Sequence, residues 1–237
     1  MRIEKLPDAA TAAHRAAAFI AERAREAVRE RGHFLLALSG GETPLPLYEA
    51  LARQVLPWER VELFQADERA VPPASAARNW SHIERLLLGP LALPARQTHP
   101  MRAEAADLAA AAADYARTLR AAAGAPPVLD LIHLGLGADG HTASLFAGDA
   151  ALDVDDAWVA AAAEHHGHRR MTLTLPTLAH ARCVLWLVCG GDKAEVLARL
   201  VGGDPTLPAG RVSRDRAWVV IDAAAARLGE PDTQEAQ

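Results

Sequence analysis

The residue of this chain best suited to chemistry near neutral pH is His141, which stands in the glycine-rich stretch Leu129–Phe146. An imidazole gains and loses a proton close to pH 7, so His141 could take a proton from a reacting group and return it. Three glycines precede it in the stretch, at positions 135, 137 and 140. The stretch therefore predicts a tight loop that presents an acid–base group.

The elements that position His141 follow from the pattern of apolar residues. A near-continuous apolar run before the glycines predicts a strand buried on both faces of a parallel sheet, and Thr142–Phe146 resumes a helical pattern. Ligands bind at the carboxyl ends of such strands, where the next helix presents unpaired N–H groups. The order strand, glycine turn, helix places His141 in a ligand crevice. A helix N-terminal histidine without a chemical role is the simpler alternative.

The glycines also allow a different interpretation. Gly135–Gly140 satisfies the G-x-G-x-x-G dinucleotide pattern, which is a weak signal by itself. The pattern lies past the middle of the chain, and Asp155 and Asp156 come early for a ribose contact. Nicotinamide or flavin binding is therefore the less favoured hypothesis.

A second glycine turn, Ser39–Pro44, follows the predicted strand Phe34–Leu38. We expect Thr43 at the N-cap of the next helix and Pro44 at its first helical position. Glycines before a helix N-terminus let backbone amides approach an anion, so this turn is a candidate anion site. It is not a Walker loop, because no Gly-Lys-Ser/Thr follows. A turn that needs glycine only for its backbone angles is the alternative.

Charged residues follow two other predicted strands. Asp67, Glu68 and Arg69 come after Val61–Ala66, and we expect them to contact a ligand because the carboxyl ends of strands form the ligand crevice. Lys193 lies in the first turn of a predicted helix, where a cation opposes the helix dipole unless an anion is bound beside it. An exposed loop and a solvated lysine are the simpler alternatives.

The histidines at positions 165, 166 and 168 suggest a metal site. We reject that hypothesis, because no carboxylate or cysteine accompanies them at ligand spacing. A loop that contains Gly167 explains the segment better.

The rest of the chain alternates between predicted helices and strands. A long amphipathic helix is expected over Pro7–Arg31, with Asp8 as its cap and Gly32 at its end. The other predicted helices are Trp80–Leu88, Ala103–Ala123 and one opening at Gly190–Lys193; the other predicted strands are Trp158–Ala163, Arg170–Pro176, Cys183–Cys189 and Arg216–Asp222.

Length and composition limit the class of protein. The 237 residues are 51% apolar, which suffices for one domain over 1–237, with a frayed polar tail at about 229–237. A net charge of −5 gives no general attraction to nucleic acid or to anionic membranes. Cys183 and Cys189 stand at the two ends of one strand, too far apart for a disulfide. No apolar signal segment or membrane span is visible, so a cytoplasmic location is expected.

Taken together, these segments resemble the 6-phosphogluconolactonases of the pentose phosphate pathway. The resemblance rests on five motifs in the family's order, of which Asp139–Phe146 is highly specific: Leu38–Pro44, Asp67–Pro73, Gly135–Phe146, Arg170–Pro176 and Gly190–Ala194. Two positions depart from it. Arg78-Asn79-Trp80 stands where Ser-Asn-Tyr is usual, which leaves Asn79 available, and Ala147 stands where proline is common.

The resemblance implies a doubly wound α/β fold, with a mostly parallel sheet covered by helices on both faces. Glucosamine-6-phosphate deaminases and ribose-5-phosphate isomerases share this fold. It also implies hydrolysis of 6-phospho-D-glucono-1,5-lactone, with no metal and no organic cofactor. We expect a small-molecule substrate, no nucleic-acid or membrane partner, and a monomer or weak homodimer.

The resemblance assigns roles to single residues. Neutral His141 is the general base, Asp139 orients it, and Arg69 or the loop amides from Gly137 to Gly140 stabilise the oxyanion. The phosphate is held by residues from three motifs: Gly40, Gly41, Thr43, Arg170 and Lys193. Ser39 is a further candidate for substrate binding. Asp67 and Asn79 are candidates for sugar hydroxyls.

Two alternatives remain open. One is an isomerase or deaminase of the same fold, in which Asp67 abstracts a carbon-bound proton. The other is a non-catalytic sugar-phosphate sensor, which would need a helix-turn-helix and a basic face; neither is visible in the sequence.

Overall fold

The computed structural model describes residues 1–227, and its centre is a seven-stranded, fully parallel sheet in the order β1-β10-β9-β6-β2-β3-β5. A smaller antiparallel sheet has the order β4-β8-β7. The strands are β1 Arg2–Leu6, β2 Phe34–Leu38, β3 Val61–Gln65, β4 Asp67–Arg69, β5 Thr98–His99, β6 Leu131–Leu134, β7 Val159–His165, β8 His168–Leu173, β9 Val184–Val188 and β10 Ala217–Asp222.

Helices connect these strands. They are α1 Ala9–Arg31, α2 Leu45–Ala52, α3 Asn79–Ile83, α4 Gly89–Leu91, α5 Leu108–Ala123, α6 Leu175–His180 and α7 Ala194–Gly202. A π-helical turn, Glu84–Leu88, continues α3, and short 3-10 turns are found at Trp58–Arg60, Ala95–Gln97, Ala150–Asp153, Gly191–Lys193 and Ala209–Arg211. In the region described, no helix has both the length and the apolar character needed to cross a membrane.

Helices cover both faces of the large sheet, which confirms the predicted doubly wound fold. Buried residues of α1, α2 and α3 pack on one face, against side chains such as Leu36 and Leu131. Residues of α5 and α7 pack on the other face, against side chains such as Ala37 and Ile132. That the chain folds as one domain stays a prediction, and its expected frayed tail lies outside the described residues.

The connections leave a crevice above β6. The chain leaves β2 for α2 on one face and leaves β9 for α7 on the other, while β6 lies between these two strands. Neighbouring strands lie about 4.8 Å apart, so the two diverging loops open a gap about 10 Å wide. Ligands bind at such switch points in open α/β sheets. The topology thus places Gly40–Thr43, His141 and Lys193 around one space.

The small sheet brings a second group of side chains to this crevice. The chain passes directly from β3 into β4, whose Arg69 is paired with Arg170 of β8. The predicted strand end at Asp67–Arg69 is therefore itself a strand, in a different sheet.

Two predicted helix starts are wrong. Thr43 is not an N-cap, because α2 begins at Leu45 with Pro44 in the cap position and no side-chain cap. The Leu45 N–H donates to the Glu42 carbonyl at 3.1 Å, so Thr43 and Pro44 lie inside a closed turn. The predicted helix at Ala103 begins instead at Leu108, where the Asp107 carboxylate caps the Ala110 amide at 2.9 Å.

The predicted helix over Thr142–Phe146 is also wrong. Thr142 and Leu145 form an isolated antiparallel bridge, and the Leu145 amide donates to the Thr142 carbonyl at 2.9 Å. Ala143 has φ 48°, in the left-handed region, which an α-helix does not accommodate. The dinucleotide pattern needs a helix N-terminus after its glycines, so this segment lacks the structure on which that hypothesis depended.

Other predicted boundaries agree with the structure within a few residues. The Asp8 carboxylate accepts from the Thr11 amide at 2.7 Å and caps α1, and Gly32 ends the helix with φ 80°. Besides β4, two strands were not predicted. The first, β1, is largely exposed and three of its five residues are charged, and β5 has only two residues, so neither shows a strand pattern.

Candidate active site

A cavity of about 170 Å³ lies in the crevice above β6. The structure brings ten of the eleven predicted site residues to its wall: Ser39, Gly40, Gly41, Thr43, Asp67, Arg69, Asn79, His141, Arg170 and Lys193. The eleventh, Asp139, contacts His141 directly. Residues that are up to 154 positions apart in the chain therefore share one pocket, as the topology requires.

His141 is held by the carboxylate of Asp139. Nδ1 of the imidazole lies 2.5 Å from Oδ1 of Asp139, and the His141 backbone amide donates to the same oxygen at 3.1 Å. An ionised carboxylate only accepts hydrogen bonds, so the proton of the neutral ring resides on Nδ1. Nε2 is then the basic nitrogen, which is the arrangement that a general base requires.

The surroundings keep His141 neutral at pH 7. Burial lowers the pKa of His141, and this effect outweighs the opposing influence of the Asp139 and Asp67 carboxylates. Partial burial works to raise the pKa of Asp139, but its hydrogen bonds from His141 prevail and the pKa is lowered. At neutral pH the pair is therefore a carboxylate beside an uncharged imidazole.

Aromatic stacking fixes the ring plane of His141. The Phe146 ring stacks on His141 at 4.3 Å between centroids, and its other face stacks on His165 at 4.0 Å. Nε2 of His165 lies 2.7 Å from a carboxylate oxygen of buried Asp149. The His165–Asp149 pair therefore holds the Phe146 ring in place, and that ring in turn holds His141.

Gly137 makes room for the base. A Cβ atom at this position would overlap the His141 imidazole and the Asp139 carboxylate. The loop is closed by two backbone hydrogen bonds of 2.9 Å, from the Gly137 amide to the His141 carbonyl and from the Gly140 amide to the Gly137 carbonyl. Those two amides are occupied, so they cannot stabilise an oxyanion as expected from the sequence.

The histidine segment has carboxylate neighbours in the fold, contrary to the expectation from the sequence. Asp149 contacts His165 and a carboxylate oxygen of Asp139 lies within 4.8 Å of a ring nitrogen of His166, although both aspartates are distant in sequence. One ligand atom from each of Asp139, His141 and His166 lies within 4.8 Å of the others. Sequence spacing could not show this, because the contacts join separate loops.

Asp67 and Arg69 do not form an ion pair with each other, and each contacts a different group. Asp67 accepts a hydrogen bond from the Ser144 hydroxyl at 2.8 Å, whereas Arg69 donates to the Ala77 carbonyl at 2.7 Å. Arg170 lies 3.5 Å from the same Ser144 oxygen. Ser144 was missed in the sequence because its segment was predicted to be a helix.

Asn79 lies directly over the first glycine turn. Its side chain packs so closely on Gly40 that a Cβ there would overlap it, and its amide nitrogen donates to the Asp67 carbonyl at 3.1 Å. Gly40 is therefore required for close packing. Its partner Gly41 has φ 102°, a conformation that favours glycine.

Glu68, expected with its neighbours to contact a ligand, is not part of the cavity lining and has a positioning role that the sequence did not reveal. Its fully buried carboxylate accepts from the backbone amides of Asn79 and Trp80, both at 2.8 Å, and so anchors the start of α3. Burial raises the pKa of Glu68, against the opposing effect of its hydrogen bonds. The residue positions Asn79 from behind. Its place between Asp67 and Arg69 in an alternating strand is the one signal that it faces inward.

Arg78, which departs from the resembled pattern, does not line the cavity. The buried guanidinium donates to the Val71 and Met101 carbonyls at 3.2 and 3.1 Å and pairs with Glu104 at 2.8 Å. It anchors the loop before Asn79 to the rest of the protein. The departure from the family pattern at this position therefore affects how the loop is held.

At the opposite side of the cavity, Lys193 stands in the N-cap position of α7. Its ammonium nitrogen lies 3.1 Å from a carboxylate oxygen of Asp192. Across the gap, the Tyr48 hydroxyl donates to the Ser39 carbonyl and holds the first glycine turn. The cavity thus combines cations, glycine-rich backbone and an acid–base pair.

Comparison with known proteins identifies the family. The model of the glucosamine-6-phosphate isomerases/6-phosphogluconolactonase family matches residues 7–221. Among curated proteins, the chain is 42% identical over 190 residues to a Synechocystis 6-phosphogluconolactonase, covering 78% of this chain and 79% of that protein. It is 39% identical over 217 residues to the Mycobacterium tuberculosis 6-phosphogluconolactonase, covering 85% and 88%.

A solved structure agrees with this result. The crystal structure of the Thermotoga maritima 6-phosphogluconolactonase superposes with a TM-score of 0.83 at 30% identity, over 93% of this chain and 98% of that one. The chain therefore belongs to the glucosamine-6-phosphate isomerase/6-phosphogluconolactonase family.

Proposed function

We propose that this protein hydrolyses 6-phospho-D-glucono-1,5-lactone to 6-phospho-D-gluconate, the second step of the oxidative pentose phosphate pathway. The observation that supports this most is the His141–Asp139 pair, which leaves an uncharged imidazole with a basic Nε2 on the wall of the cavity. The two relatives at 39–42% identity are named 6-phosphogluconolactonase, which favours the lactonase over the other activity in the family's name.

In this mechanism His141 transfers one proton twice. Nε2 takes a proton from a water molecule as its oxygen attacks C1 of the lactone. The tetrahedral intermediate then expels the ring oxygen, the bond from C1 to that oxygen breaks, and the imidazolium returns the proton to it. Asp139 holds the ring and favours its charged form while the proton resides there.

Arg69 is the donor that remains for the anion that forms on the carbonyl oxygen. The Gly137 and Gly140 amides are used within the loop. The Arg69 side chain lines the cavity. A fixed cation in a partly buried site stabilises developing negative charge without reorganisation.

The phosphate is assigned to the crevice between the N-termini of α2 and α7. Gly40, Gly41 and Thr43 line one side of it, and Lys193 lines the other, with Arg170 approaching from the small sheet. Backbone amides at helix N-termini and charge-assisted donors are the usual partners of phosphate. Asp67, Asn79 and Ser39 remain candidates for the sugar hydroxyls.

The experiment that tests this proposal compares two substrates. Freshly generated 6-phosphogluconolactone should release acid well above its spontaneous rate, and glucosamine 6-phosphate should release no ammonia under the same conditions. In a deaminase Asp67 must abstract a carbon-bound proton, but here it already accepts a hydrogen bond from Ser144. Ammonia release with lactone decay at the blank rate would overturn the assignment.

The pH dependence of turnover follows from the His141 environment. Activity should fall on the acid side with an apparent pKa below about 6.5, because burial lowers the pKa of His141 and protonation removes the base. Asp139 works to raise that pKa, so Asp139→Asn should move the acid limb to lower pH as well as reduce kcat. A pH profile of kcat/KM for both proteins tests this. If the acid limb is unchanged in Asp139→Asn, Asp139 does not influence the pKa of His141.

The phosphate assignment makes a prediction for Lys193→Ala and Arg170→Ala. Each removes a charge-assisted contact worth roughly 1.5–3 kcal/mol, so KM for the phosphorylated lactone should rise roughly ten- to hundredfold. Hydrolysis of unphosphorylated gluconolactone should change much less. Arg199→Ala removes a cation on α7 that pairs with Asp204 on the surface, and it is the control. The assignment fails if both cavity variants discriminate the two lactones as well as the wild type does.

We also propose a cytoplasmic location and a monomer or weak homodimer. Cys183 and Cys189 are both free thiols, which fits a reducing compartment. Cell fractionation and sedimentation velocity at several concentrations test the two points.

A further inference from the structure

The floor of the cavity contains polar atoms that no described residue of the protein satisfies. Among the described residues, neither ring nitrogen of His133 has a hydrogen-bond partner, and the same is true of the Ser39 hydroxyl and the Asn79 side-chain oxygen. All three residues line the cavity, and each is at least 94% buried. An unsatisfied buried polar group destabilises a protein. Three of them around one cavity indicate a site built for a polar ligand.

His133 lies at the centre of this floor. It belongs to β6, the strand between β2 and β9, and is paired in register with Leu185 of β9. The loop after β2 contains Gly40 and Gly41, and the loop after β9 contains Lys193. His133 is therefore beneath the gap between the two loops to which the phosphate is assigned. It is only 1% exposed.

We propose that His133 binds the phosphate monoester of the substrate from the floor of the crevice. The proposal rests on the phosphate assignment made above and adds a residue that the resemblance did not indicate. A phosphate oxygen accepts the ring N–H, and a phosphate group that settles between the two loops thereby satisfies an atom that the empty protein leaves unpaired.

The protonation state of the ring suits this role. Burial lowers the pKa of His133 to about 4, so the imidazole is uncharged at pH 7 and has one N–H donor. A neutral donor adds no charge to the free protein. Lys193 and Arg170 supply the positive charge that attracts the phosphate. The His133 N–H sets the orientation of the phosphate and how deeply it binds in the crevice.

The decisive variant is His133→Leu, since leucine fits a strand position with the apolar neighbours Leu131 and Leu185. Removing an unsatisfied polar group should leave the melting temperature of the free protein equal or higher. The Kd for 6-phosphogluconate, measured by calorimetry, should rise about tenfold or more, and the Kd for inorganic phosphate should rise in parallel. His133→Gln retains a donor and should recover part of the loss.

Trp186→Phe is the matched control. Trp186 lies on the neighbouring strand β9, and its Nε1 atom is also buried without a partner, but it does not line the cavity. Its loss should not weaken phosphate binding. His133→Met offers the same test if the leucine variant does not fold.

The binding measurement is independent of turnover. If the wild type binds 6-phosphogluconate but does not hydrolyse the lactone, the proposed function fails and the role of His133 stands. The role is overturned if His133→Leu binds both phosphate compounds as tightly as the wild type, or if the wild type binds 6-phosphogluconate no better than gluconate.

Discussion

His141→Ala should lower kcat on 6-phosphogluconolactone by ~10²–10⁴, the usual contribution of a positioned acid–base group, and should leave KM nearly unchanged. We expect the imidazole to contribute little to ground-state binding, because the proposed phosphate contacts are made by other residues, Gly40–Thr43 and Lys193. Its contribution is made as water attacks and as the ring oxygen departs. The loss should therefore appear in kcat, and the acid limb of the pH profile should disappear with the base.

A matched control for this variant is His165→Ala. It removes a second imidazole that is paired with a carboxylate and stacked on the same Phe146 ring, but it does not line the cavity. We expect less than about a tenfold change in kcat, since only the support of the stack is lost. Turnover of His141→Ala within a few-fold of wild type would remove His141 from the mechanism.

Gly137→Ala should have the second largest effect, a fall in kcat of about 10² or more. The new methyl group would occupy the space of the His141 imidazole and the Asp139 carboxylate, so the pair must separate or the loop must move. Displacing a catalytic group by about 1 Å can reduce the rate about a hundredfold. The variant keeps both side chains, so a loss of activity reports on their positions and not on the loss of a chemical group.

Gly135→Ala tests whether a methyl group in this turn is harmful in itself. Its Cβ would lie in open space, and its backbone is outside the left-handed region. Its kcat should stay within a few-fold of wild type. If Gly137→Ala retains normal kcat and a normal acid limb, the close contact between the glycine and the base is not needed for catalysis.

A residue of this site could be predicted from the sequence where its neighbours in the chain form a recognisable pattern. Gly40, Gly137, His141 and Lys193 stand at the ends of strands with strong apolar patterns, and the rule for ligands at strand ends is general. The sequence did not reveal Ser144 or the positioning role of Glu68, for opposite reasons. The left-handed Ala143 converts a helical pattern into a turn, and Glu68 looks like an exposed charge until α3 docks on it.

The sequence by itself determined the α/β class, the principal strands and the two glycine turns, because alternation, apolar runs and glycine are properties of neighbouring residues. It also carried the family's motifs. Only the tertiary structure decided which distant groups meet: Asp67 with Ser144, Asp149 with His165, and His133 beneath the two loops. Such pairings depend on strand order and on the faces to which the helices return, and these arise from packing of the whole sheet.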